Sequence, residues 1–474
     1  MTEVDTQTGD GATVVTNPYL EGNFAPVMDE LDAFDLEVTG TLPEVLDGRY
    51  LRNGPNPITA DPARYHWFTG DGMVHGIRLR DGRAEWYRNR WVRSGSVPAA
   101  LGEPDPGGPR TEGMDTSPNT NVIGFGGRTF ALVEAGAKPV ELDDELTTIA
   151  RCDFDGTLPN GYSAHPKLDP VTGELHSANY FWARPEVIEY TVVGPDGTVT
   201  RREDVAVPGS PMVHDMSITE RFALFYDLPV TFDLDGAMSG ASFPYAWDPG
   251  YGARVGVLPR DGAGTDSVQW FEVEPCYVFH PLNAYDEVTP DGTTRIVADV
   301  VRHERIFDRS RLGPDESRPT LWRWTIELPR DGTGGGRVHE QQLSEVPMEF
   351  PRVDERLVGR RHRYGFAASV ATHGDTPGIT FDGTRVLCRD DADGTVRFHD
   401  VGRGRAAGEA VFVPSSPDAQ GLDGYLLTLV YDSGTDRSEL VVLSAEDLEG
   451  DPVARVHLPQ RVPFGFHGNW VPAS

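Results

Sequence analysis

Four of the thirteen histidines stand in apolar or turn-rich segments: His165 in GYSAHPKLDP, His214 in PMVHDMSIT, His280 in CYVFHPLNAYDE and His467 in PFGFHGNW. Neutral imidazole is the commonest side-chain metal ligand. The four are separated by 49, 66 and 187 residues, and no HExxH or HxH motif is present. Only a fold that returns distant segments to one point could unite them. The plainer reading of each is a hydrogen-bonded core histidine, and spacing alone does not choose between the two. The other nine (His66, His75, His176, His303, His339, His362, His373, His399 and His457) sit mostly beside charged or turn residues. They read as surface or supporting positions.

The elements that must position such a site are short strands. Thirteen Asp-Gly dipeptides punctuate the chain, and Asp-Gly favours the positive φ angles of tight hairpins. Alternating or β-branched runs flank many of them: Gly72–Arg78, Val187–Val193, Leu321–Leu328, Thr395–Val401 and Leu426–Tyr431. The nearest helix-like stretch is Glu141–Ala150, with Leu142, Leu146 and Ile149 at helical spacing. Length alone suggests about three domains at roughly 150 residues each. Short strands over the whole chain, with no Ser/Gly-rich linker, argue instead for one large all-β domain from residue 17 to 474. A propeller manages exposed sheet edges at this size, and its blades bring their inner ends to a common axis. Residues 1–16 read as a disordered acidic tail.

Composition narrows the partners. The formal net charge is −32, which repels phosphate backbones, so a nucleic-acid partner is excluded. Apolar runs such as Tyr425–Tyr431 fall far short of the roughly 20 residues of a membrane-spanning helix. The N-terminus MTEVDTQTGDG lacks the basic start and apolar run of a secretory signal. Cys152, Cys276 and Cys388 are odd in number and widely spaced, without a CxxC. That pattern fits a reducing, cytoplasmic setting.

The separated motifs RYLRNGPNP (49–57), HWFTGDGMVHG (66–76), the segments of His165, His214 and His280, MEFPRVD (348–354) and FGFHGNW occur in this order. In that, the chain resembles the carotenoid cleavage oxygenase family, from about Asn17 to the C-terminus. The resemblance implies a seven-bladed β-propeller capped by a dome of loops and short helices. It implies one non-haem Fe(II) per chain on the axis, bound by His165, His214, His280 and His467, with O2 as cosubstrate. Imidazole suits Fe(II), and four neutral ligands leave its full charge in place.

By the same resemblance, three carboxylates orient three of these rings: Glu134 in FALVEAG, Glu349 in MEFPRVD and Glu409 in GEAVFVPSS. A histidine ligand normally gives its second ring N–H to such an acceptor. Thr120, in SPNTNV, is implied to stand beside the iron, its methyl narrowing the open coordination side. The ring of Phe68 is implied to line the substrate tunnel. Asn53–Pro57 reads as a rigid turn, and Gly70-Asp71-Gly72 as the turn of the first blade with His75 packed in the strand after it.

The family's branches divide by substrate. One cleaves carotenoids and apocarotenoids. Another cleaves 4-hydroxystilbenes and related phenylpropenes, and carries a Lys immediately before the first orienting Glu together with an upstream Tyr. Here that position is Val133, and no Tyr occurs between Tyr87 and Tyr162. Lys138 and Tyr285 are the remaining candidate phenol partners. The expectation is therefore an apolar polyene held by a pocket that includes Phe68 and Val133. A stilbene-cleaving dioxygenase is the alternative, and a non-catalytic binding scaffold is the alternative of another class. The isomerase branch carries a long membrane-binding insertion that has no counterpart here. Met238–Tyr251, with Phe243, Tyr245 and Trp247, reads either as the rim of a tunnel mouth in peripheral contact with membrane or as a packed loop. A monomer is expected.

Overall fold

The computed structural model describes residues 16–111, 114–262, 264–329, 336–372, 379–380 and 383–473. The expected tail lies almost wholly outside them. Seven sheets of four or five strands form the ring, antiparallel except where Gln269–Glu272 pairs in parallel with Gly336–Arg337, so the chain is an all-β, seven-bladed propeller. In chain order, the innermost strands of the blades are Asn121–Phe125, Lys167–Leu168, Met216–Ile218, Tyr277–Val288, Met348–Arg352, Arg405–Pro414 and Gly468–Pro472.

Both ends of the described chain close the ring. Gly468–Pro472 pairs with Gly48–Pro55 as the inner strand of the first blade. Val38–Gly40 pairs with Ala454–His457 on the outside of the last. The seam is packed as well as hydrogen-bonded: Tyr50, Ile77 and Tyr87 of the first blade share one buried cluster with Val411, Leu427 and Leu440 of the last. Inner and outer strands differ as their position demands. Leu175–Asn179 is buried throughout, whereas Val199–Ala206, an edge strand, alternates exposed positions with half-buried ones and the buried Val205. A strand covered on both faces loses its polar alternation.

Six of the ten Asp-Gly pairs in described segments place glycine at positive φ. Asp81-Gly82 forms the two-residue hairpin between paired Arg80 and Arg83, with φ of 50° and 68°. At Gly48, Gly72 and Gly424 the glycine instead opens a strand. The pairs at Asp10 and Asp331, and Asp382 of the third, lie outside the described residues.

Two local expectations are corrected. Glu141–Ala150 is not helical: Val140–Leu142 pairs with Thr148–Arg151. The Asp143 carboxylate accepts from the Glu145 and Thr147 backbone N–H groups, folding the segment into a turn. Leu146 sits in it at a φ of 69° and is buried, while Ile149 is half exposed. A side-chain acceptor for turn amides outcompetes helical spacing in so short a run. Asn53–Pro55 is likewise the end of a strand and not a turn; Asn53 Nδ2 ties it to the carbonyls of Pro118 and Asn121. Gly72–Arg80 is a strand that contains His75, as expected.

Outside the blades, short helices at Trp67–Thr69, Val97–Leu101 and Leu234–Met238 and the hairpin Val230–Phe232/Tyr245–Trp247 form the dome. Among the described residues no helix is long and apolar enough to cross a membrane.

Candidate metal centre and substrate cavity

The inner ends of the blades converge on the four histidines. His165, His214 and His467 lie just before inner strands of three blades, and His280 lies within a fourth. One ring nitrogen from each falls within 4.8 Å of those of the other three, and all four rings are buried. Glu349 and Glu409 come from the inner strands of two further blades, and Thr120 immediately precedes that of the seventh. Thus every blade supplies one residue to the axis. Glu134 follows the neighbouring strand Arg128–Leu132.

Three of the rings are aimed by carboxylates. His214 Nδ1 lies 3.1 and 3.0 Å from the two Glu134 oxygens. His280 Nδ1 is 2.6 Å from Glu349 Oε2 and His467 Nδ1 is 2.9 Å from Glu409 Oε1. Two of these carboxylates are themselves braced. Glu349 takes a second histidine, His303, at 2.7 Å, and Glu409 accepts from the Gly468 N–H at 2.7 Å and lies 3.3 Å from Arg352. Burial works against the ionised form of Glu349, but His280 and His303 hold its pKa well below the usual carboxylate range. For Glu409, burial is outweighed by Arg352 and His467.

With Nδ1–H donated to a carboxylate, each ring turns the Nε2 lone pair inward. His214 Nε2 and His280 Nε2 face each other at 3.3 Å. Two lone pairs at that distance repel, and a cation between them converts the repulsion into bonding. His165 Nε2 is buried with no hydrogen-bond partner, as expected of a nitrogen reserved for a metal. Burial, and then its three histidine neighbours, push the His165 pKa well down. His467 falls to about 3 through burial, against the pull of Glu409. Burial also lowers His214, but Glu134 overcomes it and the net shift is upward. The residues therefore fit a metal ion with nitrogen preference, three carboxylates offsetting its charge.

A cavity of about 760 Å³ opens onto one side of this cluster, within the range of about 300–1,000 Å³ usual for small-molecule sites. His214, His280, His467, Glu134, Glu349 and Thr120 reach it, as do Phe68 and Val133. Phe68 packs edge-on against Phe243, Phe279 and Phe466 at 5.5, 6.0 and 5.5 Å between ring centres. The Thr120 hydroxyl donates to Asn119 Oδ1 at 2.9 Å, and Asn119 is anchored to the Phe68 and Gly70 carbonyls. Of Met238–Tyr251, residues Met238, Phe243 and Tyr245 line the cavity, while Trp247 does not.

Other assignments change. Lys138 and Tyr285 do not border the cavity; Lys138 Nζ donates to the Leu158 carbonyl, and Tyr285 packs under Arg361. Of the nine remaining histidines, His66, His75, His176, His303, His362 and His399 are buried, not superficial. For His303 and His399, in the strands Thr294–His303 and Val396–Asp400, an exposed charged neighbour, Glu304 or Asp400, hides the burial. His373 lies outside the described residues.

Known proteins bear on this geometry. The retinal pigment epithelial membrane protein family matches residues 24–472. A carotenoid cleavage oxygenase of Mycobacterium tuberculosis is 47% identical over 500 residues, covering 97% of this chain and 98% of that one. An isoeugenol monooxygenase of Pseudomonas nitroreducens is 32% identical over 484 residues, covering 96% and 98%. The crystal structure of Pseudomonas brassicacearum lignostilbene dioxygenase superimposes with a TM-score of 0.84 at 29% identity, covering 97% of this chain and 100% of that one.

Proposed function

The chain belongs to the family of the retinal pigment epithelial membrane protein and the carotenoid cleavage oxygenases, and from that premise we propose that it is an Fe(II)-dependent dioxygenase cleaving one C=C bond of a carotenoid or apocarotenoid. The products are two carbonyl compounds, and residues 17–474 act as one domain and as a monomer in the cytoplasm. The observation that carries the metal reading is the 3.3 Å approach of His214 Nε2 to His280 Nε2. His165, His214, His280 and His467 would hold one iron, and Glu134, Glu349 and Glu409 would orient three of them. When bound, the iron supplies the one-electron exchange with O2 that a closed-shell alkene lacks.

The chain's own residues do the rest. Phe68, Phe243 and Phe279 bury the conjugated chain against rings, each buried methylene-sized group contributing about 0.8 kcal/mol. The aromatic lining around Phe68, Phe243 and Phe279 disfavours water beside the reacting alkene. Thr120 acts by its bulk beside the histidines, since its hydroxyl is already committed to Asn119. Val133 keeps the wall next to Glu134 apolar.

Reaction in ¹⁸O2, with aldehyde exchange controlled, is expected to place one labelled oxygen in each product at early times. Label in a single product identifies a monooxygenase, and conversion without O2 at the aerobic rate identifies an isomerase. Either result overturns the dioxygenase reading.

The cavity's outer end carries Leu234, Met238 and Trp182, which are 61%, 79% and 44% exposed. We place this rim against a lipid surface, from which an apolar substrate could enter. The double substitution Leu234→Glu/Met238→Glu is expected to reduce co-sedimentation with phosphatidylcholine vesicles at least tenfold, because each inserted side chain is worth roughly 1.5–3 kcal/mol when buried. Turnover of a detergent-dispersed substrate should change less than twofold. Equal vesicle binding by the variant removes the membrane contact.

A further inference from the structure

Three of the clustered histidines have a carboxylate on Nδ1, and His165 does not. Its segment, residues 161–166, has no regular secondary structure. It is tethered by the Ser163 hydroxyl, which accepts from the His165 N–H at 3.1 Å, and by Asn121 Nδ2, which donates to the Ala164 carbonyl at 2.8 Å. Neither contact turns the ring. His165 also stands apart in facing away from the substrate cavity. It borders a second, polar space of about 110 Å³ on the propeller axis, together with Lys167, Asp215 and Asn121. Across that space His165 Nδ1 lies 4.0 Å from Asp215 Oδ2, and the same oxygen accepts from Lys167 Nζ at 2.8 Å.

A separation of 4.0 Å is too long for a hydrogen bond and suits a bridging water. A space of this size and polarity holds water, which needs about 15 Å³ and two to four polar partners. The Asp215 side chain is only 2% exposed, while that of Lys167 is 23% exposed. A carboxylate buried to that degree requires a charge partner, and Lys167, two residues from the histidine, provides it.

We propose that Asp215, held by Lys167, orients His165 through one bridging water in the axial cavity and so acts as the fourth positioning carboxylate of the metal site. The inference rests on the four-histidine metal reading above. In it, Nδ1–H donates to the water, the water donates to Asp215, and Nε2 is left as the inward lone pair. The fourth ring thus has a softer tether than the three held directly by glutamate.

The test uses the full-length protein loaded with Co(II), whose visible bands report ligand geometry independently of turnover. Asp215→Asn is expected to speed metal release to excess chelator about tenfold and to shift those bands, at the low end of the 10–100-fold typical for outer partners of metal-bound histidine. Lys167→Gln, at a partly exposed position, should move both readouts in the same direction by a smaller factor, with the thermal midpoint within a few degrees of the parent. Parental release rates and spectra in both variants overturn the proposal, as does metal loss that only follows a falling thermal midpoint. If the parent releases metal as fast as His280→Ala does, the metal reading itself fails and this inference fails with it.

Discussion

His280→Ala is expected to leave the protein folded, with less than a tenth of the parental iron and no measurable turnover. The fold should persist because the strand Tyr277–Val288 is held by its ladder to Thr294–His303, which the substitution does not touch. The partner left behind is also provided for. Glu349 keeps His303 at 2.7 Å and the Phe350 N–H at 2.8 Å, so no carboxylate is stranded without a hydrogen bond, the usual cause of collapse when a buried pair is broken. The metal loses one of four nitrogens and the two-sided grip that His214 and His280 make across 3.3 Å. Metal analysis by mass spectrometry, with circular dichroism as the control for folding, measures the outcome. A full complement of iron with normal turnover in this variant would reject the ligand assignment. Glu349→Gln should be milder, about 10–100-fold in affinity or activity, because an amide oxygen still accepts from one of the two rings.

This contrast marks what could be read from the chain before folding. His165, His214, His280 and His467 stood out by their apolar contexts, but nothing in their spacing joined them; the family motifs did that. Their convergence depends on closure of a ring by Gly468–Pro472 against Gly48–Pro55, a pairing across nearly the whole chain that no local pattern encodes. The strand runs were legible because β-branched alternation and Asp-Gly turns are local signals. Leu142, Leu146 and Ile149 misled because three apolar residues fit a helix and a strand–turn–strand equally well until the Asp143 carboxylate takes the turn amides. His303 was hidden by its neighbours in VRHER. The ring is fully buried against Glu349, while the Arg302 and Glu304 around it mimic a surface stretch. Phe279 was equally silent, since an aromatic in a strand looks the same whether it faces core or cavity.

A polyene should be cleaved at least tenfold faster than resveratrol or isoeugenol when each is assayed side by side with β-apo-8′-carotenal and β-carotene. The geometry next to the histidines is the reason. Val133 borders the cavity one residue before Glu134 and offers no hydrogen bond to a phenol. Of the two other phenol partners weighed from the sequence, Lys138 spends its ammonium on the Leu158 carbonyl and Tyr285 is packed beneath Arg361; Tyr180 and Tyr245 do line the cavity, so the discrimination rests on the missing cation beside Glu134. A buried hydroxyl without a partner costs about 1–3 kcal/mol, roughly a factor of ten to a hundred in discrimination. A hydrocarbon chain carries no such penalty and gains from every ring it contacts, beginning with Phe68 and Phe279. Val133→Lys adds a direct check, because a cation beside Glu134 should narrow the ratio by raising phenolic turnover and lowering that of the polyene. Faster cleavage of resveratrol than of either polyene by the parent protein would reject the substrate class. The four histidines and the propeller would stand unchanged, because the choice of substrate resides in the cavity wall and the chemistry on the axis.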